Sequence, residues 1–377
     1  MSDGSTGRLA RLRRLLAAVE PPPRLVDWSI LTCVLFEAAS GVLSFGAGAP
    51  SHWPLFALHT VVGLTLVSLL FYKFRRVRRR VTDSRLWTRT TGLSVLVAAV
   101  AVAALATGSL WVLGGNASVL GYWNLLNLHV GLGLALVPLV LAHLYTRFRT
   151  PSRADFEGRR TALKFGTLLV GDALLLRAQE LLNAALDTGG RVRRFTGSKP
   201  VENDGLAPEG NVGSGNASFP VTSWVADDPD PIDEPAWRLR VGGLVDAPLS
   251  LSAADLSPVT ERTALLDCTS GWYAERDWRG VELGTVLDAA GVADEARWVT
   301  VRSVTGYRWS FPLEEARGML LATRVGGERL THGHGFPCRL VAPDRRGFQW
   351  VKWVESVEVR RRRDSAQWLA VLVSGFD

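Results

Sequence analysis

Apolar and polar positions divide the chain into two unlike halves. Up to about residue 150 the apolar positions form unbroken runs, roughly 27–46, 54–73, 91–113 and 123–146. Each is close to the ~20 residues that a helix needs to cross a bilayer. From about 219 onward, apolar and polar residues alternate in short runs bounded by turn residues. Trp237–Val241, Trp298–Val301 and Cys338–Val341 are examples, and this period of two marks half-buried strands. Residues 283–290 and 313–317 read as short helices between them. The pattern predicts a multidomain chain: an N-terminal all-α transmembrane bundle of 4–5 helices, then a C-terminal mixed α+β domain.

Charge gives the runs a direction. The net charge is +7, and the cations cluster beside the apolar runs. Arg8, Arg11, Arg13 and Arg14 precede the first run. Lys73, Arg75, Arg76, Arg78, Arg79 and Arg80 follow the second, and Arg147, Arg149 and Arg153 follow the fourth. The connections Ala47–Pro54 and Gly114–Tyr122 carry no Lys or Arg. Positively charged loops stay in the cytoplasm, so the N-terminus and the basic loops are expected there, in a multi-pass protein of the cell membrane. Cations placed this way point to lipid as the partner and not to nucleic acid.

The first half also repeats. LHTVVGLTLVSLLFYKFRR at 58–76 is echoed by LHVGLGLALVPLVLAHLYTRFR at 128–149, and a small-residue step precedes each, Ser40-Gly41 and Thr107-Gly108. The repeat places His59 and His129 at matching positions near the outer face. Histidine is costly within a membrane, and two at equal depth suit the axial ligands of one b-type haem, with glycines leaving room for the porphyrin. The other reading is two polar residues that hydrogen-bond neighbouring helices. His143 lies about 21 Å further along the helix. That spacing resembles di-haem membrane cytochromes over residues 27–147, but the partner position holds Lys73, so His143 is read as an interfacial polar residue, with ligation of a second haem through an unusual partner as the alternative.

Between the halves, residues 158–166 read GRRTALKFG and lead into a weakly apolar stretch containing Asp172 and Arg177. This resembles a twin-arginine export signal retained as a fifth membrane helix, and it implies an extracytoplasmic C-terminal domain; an interfacial amphipathic helix is the alternative. The expected divisions are 1–150 for the bundle, 151–186 for this segment and 187–218 for a linker or extended arm. The soluble domain follows at 219–360 and a tail at 361–377. Three cysteines, with no CxxC or CxxCH, exclude a disulfide framework, a zinc ribbon and a c-type haem.

Three segments of the second half then carry a specific resemblance. LLDCTSGWYAERDWRGVELGTVLDAAGV at 265–292, VRSVTGYRWSFPLEEA at 301–316 and HGFPCRLVAPDRRGFQWVKWVESVEV at 334–359 stand in the order of the sulfite-oxidase-like molybdopterin domain. RLRVGGLVDAPLSLSAADL at 238–256 extends the match, so that it covers most of 219–360. The resemblance implies a molybdenum-dependent oxidoreductase whose cofactor is a molybdenum–molybdopterin. It implies Cys268 as the thiolate ligand, which suits a soft redox metal. Ser303, His334, Arg339 and Lys352 would contact the pterin and its phosphate, and Tyr307, with Arg308, would line the substrate side. Cys338 and Cys33 are read as packing residues; a Cys268–Cys338 disulfide is the remaining alternative.

The match departs where sulfite oxidases bring arginines to an oxyanion. Tyr273 stands five residues after the cysteine, and Phe219-Pro220-Val221-Thr222-Ser223-Trp224 lacks the family's Arg and His. Arg276 or Arg308 would have to substitute, and Trp272 with Tyr273 would make the pocket aromatic. The expected small-molecule substrate is therefore neutral, an S- or N-oxide, with sulfite as the alternative. Electrons are expected to pass one at a time through the haem, to or from the quinone pool or another redox partner. A chain that kept the fold as an inactive membrane-anchored binding protein is a further alternative.

Overall fold

The computed structural model describes residues 20–114, 118–120, 123–147, 159–201, 215–223 and 227–374. Arg8, Arg11, Arg13, Arg14, Arg149, Arg153 and Trp224 lie outside them, and of Arg159 and Arg160 only the helical backbone is described. The chain forms two compact units, residues 1–45 with 51–197 and residues 46–50 with 198–377.

The first unit is helical. Its helices are α1 (Pro23–Ser44), α2 (Trp53–Thr82), α3 (Thr91–Gly114), α4 (Leu125–Arg147) and α5 (Arg159–Ala185). Proline opens α1 and α2, where its missing N–H costs nothing. α1 packs on α2 and α3 on α4, which gives the repeated sequence the form of two hairpins. They share a core of Val34, Leu66, Leu70, Ala101, Leu136 and Val140. Leu35, Leu43, Val67, Phe71, Leu134 and Leu141 point outward and are exposed, so the outer surface is as apolar as the inner one, which suits lipid. Among the described residues, α1 to α4 are the helices long and apolar enough to cross a membrane. α5 carries Arg177 and Glu180 as a surface ion pair, and its buried Asp172 accepts from Ser68 Oγ of α2 at 3.0 Å. A two-stranded ribbon, β1 (Ser118–Leu120) with β2 (Trp123–Asn124), joins α3 to α4.

The second unit holds two sheets. The first contains β3 (Lys199–Pro200), β6 (Thr260–Asp267), β7 (Trp272–Glu282), β10 (Leu320–Val325), β11 (Glu328–Arg329) and β12 (Arg339–Val341). The second, in the order β5-β4-β13-β8-β9, contains β4 (Leu239–Gly243), β5 (Leu249–Leu251), β8 (Trp298–Ser303), β9 (Arg308–Pro312) and β13 (Val354–Arg360). Helices α6 (Leu283–Ala290), α7 (Leu313–Arg317) and α8 (Gln367–Val373) complete it. Along β7, Trp272, Ala274 and Trp278 are buried while Glu275 and Asp277 are exposed, the alternation of a strand with one face in the core. That core holds Trp278, Trp350, Leu239, Phe311 and Leu340.

Two expected boundaries shift. β3 pairs in parallel with β7, and Lys199 and Val201 are fully buried, so residues 198–201 within the 187–218 stretch are built into the sheet as an arm. The packed part also runs past 360. In α8, Gln367 accepts from the Ser310 N–H at 3.1 Å, and Trp368 packs edge-on against Trp309.

Candidate active site

The two sheets meet where their strand ends are tied together. Leu340 N–H donates to Val351 O at 2.8 Å, Val354 N–H to Cys338 O at 2.9 Å and Val304 N–H to Trp353 O at 3.0 Å. These bonds bring the start of β12, the run before β13 and the end of β8 to one place. Cys268 joins it from the end of β6.

Cys268 is buried and free, as are Cys33, which is half-buried, and Cys338, so no disulfide forms. The Cys268 N–H donates to Trp272 O at 2.8 Å and its carbonyl accepts from Gly271 N–H at 3.1 Å, closing a tight turn after the strand. Its sulfur lies 3.4 Å from Thr222 Oγ1 and 3.4 Å from the Ser270 N–H. Cys338 is fully buried, and burial pushes its thiol well above the usual range.

His334, Arg339 and Lys352 converge around Gly335, whose φ is +105°. A Cβ there would stand 3.1 Å from Lys352 Cβ and 3.2 Å from Arg339 Cβ, so only glycine lets the three side chains come this close. His334 is held between Thr331 Oγ1, 2.7 Å from Nδ1, and Phe219 O, 3.2 Å from Nε2. Burial, with the Arg339 charge beside it, pushes this imidazole down to about 4, so it is neutral at pH 7. Arg339 is buried against Trp278 and Trp350, its guanidinium carbon 5.4 and 5.9 Å from their rings. It donates to His334 O at 3.3 Å, while its Nε is buried with no partner. Burial pushes it down to about 10, against the pull of nearby Cys268. Lys352 Nζ donates to Gly333 O at 2.6 Å and Ser223 Oγ at 2.9 Å. Burial and the Arg339 charge push its ammonium down to about 7.

Ser303 and Tyr307 close one side. Ser303 is buried, and its Oγ accepts from Thr305 N–H and Oγ1 at 3.3 and 3.1 Å. Tyr307 is also buried, donates to Phe348 O, and burial drives its phenol far above the usual range. Tyr307 thus keeps its proton and is anchored to backbone.

Two other expectations are corrected. Trp272 is 1% exposed and packs on Phe219. The strand alternation turns it into the core, so it does not line a pocket. Neither arginine offered as a substitute is available for an oxyanion. Arg308 Nε is paired with Asp364 at 2.5 Å, and Arg276 Nε donates to Ser218 Oγ at 2.6 Å.

Some site residues had no signal in the sequence. Thr222 reaches the sulfur from a stretch that stood out only for its missing Arg and His. Asp227 is buried near Lys352 and Tyr307 with Oδ1 unpartnered, and burial raises its carboxyl. Arg346 pairs with Asp267 at 2.6 Å, 79 residues away.

These residues fit a bound molybdopterin. Arg339 and Lys352 are two neighbouring cations with no carboxylate within ion-pair distance among the described residues. Arg339 Nε and Asp227 Oδ1 are a buried donor and a buried acceptor without partners. An anionic, hydrogen-bonding ligand beside the Cys268 thiol would satisfy all of them.

Comparison with known proteins bears on the same region. The sequence profile of the oxidoreductase molybdopterin binding domain matches residues 226–368. The uncharacterized oxidoreductase YuiH of Bacillus subtilis is 34% identical over 168 residues, which are 43% of this chain and 83% of YuiH. The chain belongs to the molybdopterin-binding oxidoreductase family. Another family member, the protein-methionine-sulfoxide reductase catalytic subunit MsrP of Xanthomonas axonopodis pv. citri, is 29% identical over 35% of this chain and 47% of MsrP. The chain therefore spans about half the length of MsrP. The sulfane dehydrogenase SoxCD of Paracoccus pantotrophus is 30% identical over 35% of this chain and 40% of that one, with a TM-score of 0.34.

In the helical unit, His59 and His129 come together, with ring centroids 6.2 Å apart and planes at 87°. Both Nδ1 atoms are engaged, that of His59 with Ser40 Oγ at 2.8 Å and Glu37 at 3.1 Å, that of His129 with Ala104 O at 2.8 Å. No such bond involves either Nε2 among the described residues. A Cβ on Gly108 would stand 2.9 Å from the His129 ring. His143 Nδ1 lies 3.4 Å from Ser94 Oγ, and Lys73 is paired with Asp27 at 3.0 Å.

Proposed function

We propose that the chain is a membrane-bound, molybdopterin-dependent oxidoreductase that removes an oxygen atom from a small S- or N-oxide. The observation that carries this reading is the Cys268 sulfur near buried Arg339 and half-buried Lys352, two cations with no carboxylate within ion-pair distance among the described residues. Cys268 would give the metal its protein thiolate. Arg339 and Lys352, with neutral His334 and Ser303, hold the phosphate and the pterin. When bound, the molybdenum–pterin group supplies two-electron oxygen-atom transfer. Thr222 and the Ser270 N–H hold the sulfur's direction, and Tyr307, anchored on Phe348 O, shapes the substrate side.

The substrate follows from charge. With Arg276 and Arg308 committed elsewhere and Arg339 and Lys352 assigned to the phosphate, no further cation among the described residues replaces those that bind sulfite in its oxidases, and a dianion would lose much of its binding energy. MsrP, by its name, reduces a sulfoxide. Reduction of a sulfoxide breaks one S–O bond, takes up two electrons and two protons, and releases water. A membrane quinol would supply both, and His59 and His129 would hold a b-type haem, which would supply one-electron transfer. α1 to α4 span the cell membrane, and the twin-arginine-like segment at 158–166 carries the C-terminal domain outside.

The test is a substrate screen on the purified, molybdenum-loaded full-length protein, reduced first and followed by its haem bands. Oxidation of the haem by an S- or N-oxide is expected. Reduction of the oxidised protein by sulfite would overturn the assignment.

A further inference from the structure

The Cys268 peptide is gripped from a second direction. Asp267 and Arg346 form an ion pair in which the side chains are 2% and 6% exposed, with Nη1 to Oδ1 at 2.6 Å. Nη2 of Arg346 donates to Cys268 O at 3.3 Å, while Nε is buried without a partner. Ser198 Oγ, from the arm beside β3, donates to Asp267 Oδ1 at 2.6 Å. The backbones of Asp267 and Arg346 also bridge directly, in parallel. Gly347 follows, and a Cβ there would stand 3.0 Å from Cys268 Cα and 3.2 Å from Asp267 O. The 346–347 backbone therefore lies flush on the cysteine, with no room for a side chain between them.

A buried ion pair is a weak source of stability, because desolvation cancels most of its attraction. Its distinctive effect is to select one arrangement. A cysteine has a single rotatable bond between its backbone and its sulfur, so a held peptide leaves the sulfur few directions. We infer that Arg346, with Asp267, clamps the Cys268 peptide and is a positioning residue for the thiolate. The clamp rests on the proposed reading of Cys268 as the metal's ligand. It holds the peptide and not the sulfur, whose own contacts are Thr222 and Ser270.

The experiment compares full-length wild type with Arg346→Lys, the neutral double variant Asp267→Asn/Arg346→Gln, and Cys268→Ser. In loaded protein it reads molybdenum per chain, the visible thiolate-to-metal absorption and turnover. In cofactor-free protein it reads the rate of Cys268 alkylation by iodoacetamide. The double variant leaves no buried charge unpaired. It is expected to keep its melting temperature and molybdenum while its absorption shifts and turnover falls about tenfold to a hundredfold, the effect of a misplaced reacting group. Arg346→Lys, with one donor centre for two acceptors, is expected to fall between. Unchanged absorption, turnover and alkylation rate in the double variant would overturn the clamp. If that variant fails to load, the alkylation rates of Arg346→Lys and wild type decide, equal rates counting against it. A Cys268→Ser protein that keeps the visible band defeats the ligand reading alone, and alkylation still judges the clamp.

Discussion

Two sets of cations, one in each unit, are treated in opposite ways. In the helical unit, Lys73 and Arg76 meet Asp27, and Arg75 meets Glu20. In the molybdopterin-binding unit, Arg339 is buried and Lys352 half-buried beside it, and their hydrogen bonds go to backbone carbonyls and a serine. Burying a cation without a counter-charge is costly. A fold that does so with Arg339, beside a second half-buried cation, is arranged for an anion from outside. The contrast separates charges that hold the chain in place from charges kept for a ligand.

The largest effect should come from Cys268→Ser. Turnover with an S-oxide is expected to vanish while reduced-minus-oxidised haem bands stay as in wild type; bands lost with the cysteine would show that the units do not act separately. His129→Leu is the converse. Quinol-driven turnover should disappear, while molybdenum content and turnover with a reduced viologen dye remain. Arg339→Met removes one of the unpaired cations and should lower molybdenum content about tenfold to a hundredfold, the range for groups supporting a metal site. Lys73→Met, which loses only an exposed pair, should leave both cofactors in place.

The smallest effect is one of pH. The Lys352 ammonium is depressed to about 7 in the folded protein and ordinary, near 10.5, when unfolded. Between these values the unfolded chain binds more protons, so stability rises with pH. The cost of burying the charge is fully present below pH 7 and is relieved toward pH 10. Cofactor-free protein should therefore gain a few degrees of melting temperature from pH 7 to 9.5, and Lys352→Met should flatten that slope.

What could be read in advance follows the same division. The hairpins and paired histidines were legible because repeats and apolar runs are local properties of sequence. His334, Arg339 and Lys352 were legible as an ordered set within a family resemblance. The face of Trp272 was recoverable: Trp272, Ala274 and Trp278 sit on one side of the β7 alternation, yet proximity to Cys268 suggested a pocket. Arg346 and Asp267 gave no signal, since a pair 79 residues apart exists only once β6 and the loop before β13 are side by side. Arg276 and Arg308 show the reverse. Their charge was visible in the sequence, but their partners Ser218 and Asp364 were not.

The unpaired Arg339 and Lys352 have a consequence for the life of the chain before it ever turns over. On the proposed reading, the ligand's phosphate is the missing counter-charge of the interior, so an empty domain opens more readily than a filled one. Opened chains are what proteases cut. The residues that hold the ligand would then also sort finished molecules from unfinished ones, a quality check that needs no separate inspector.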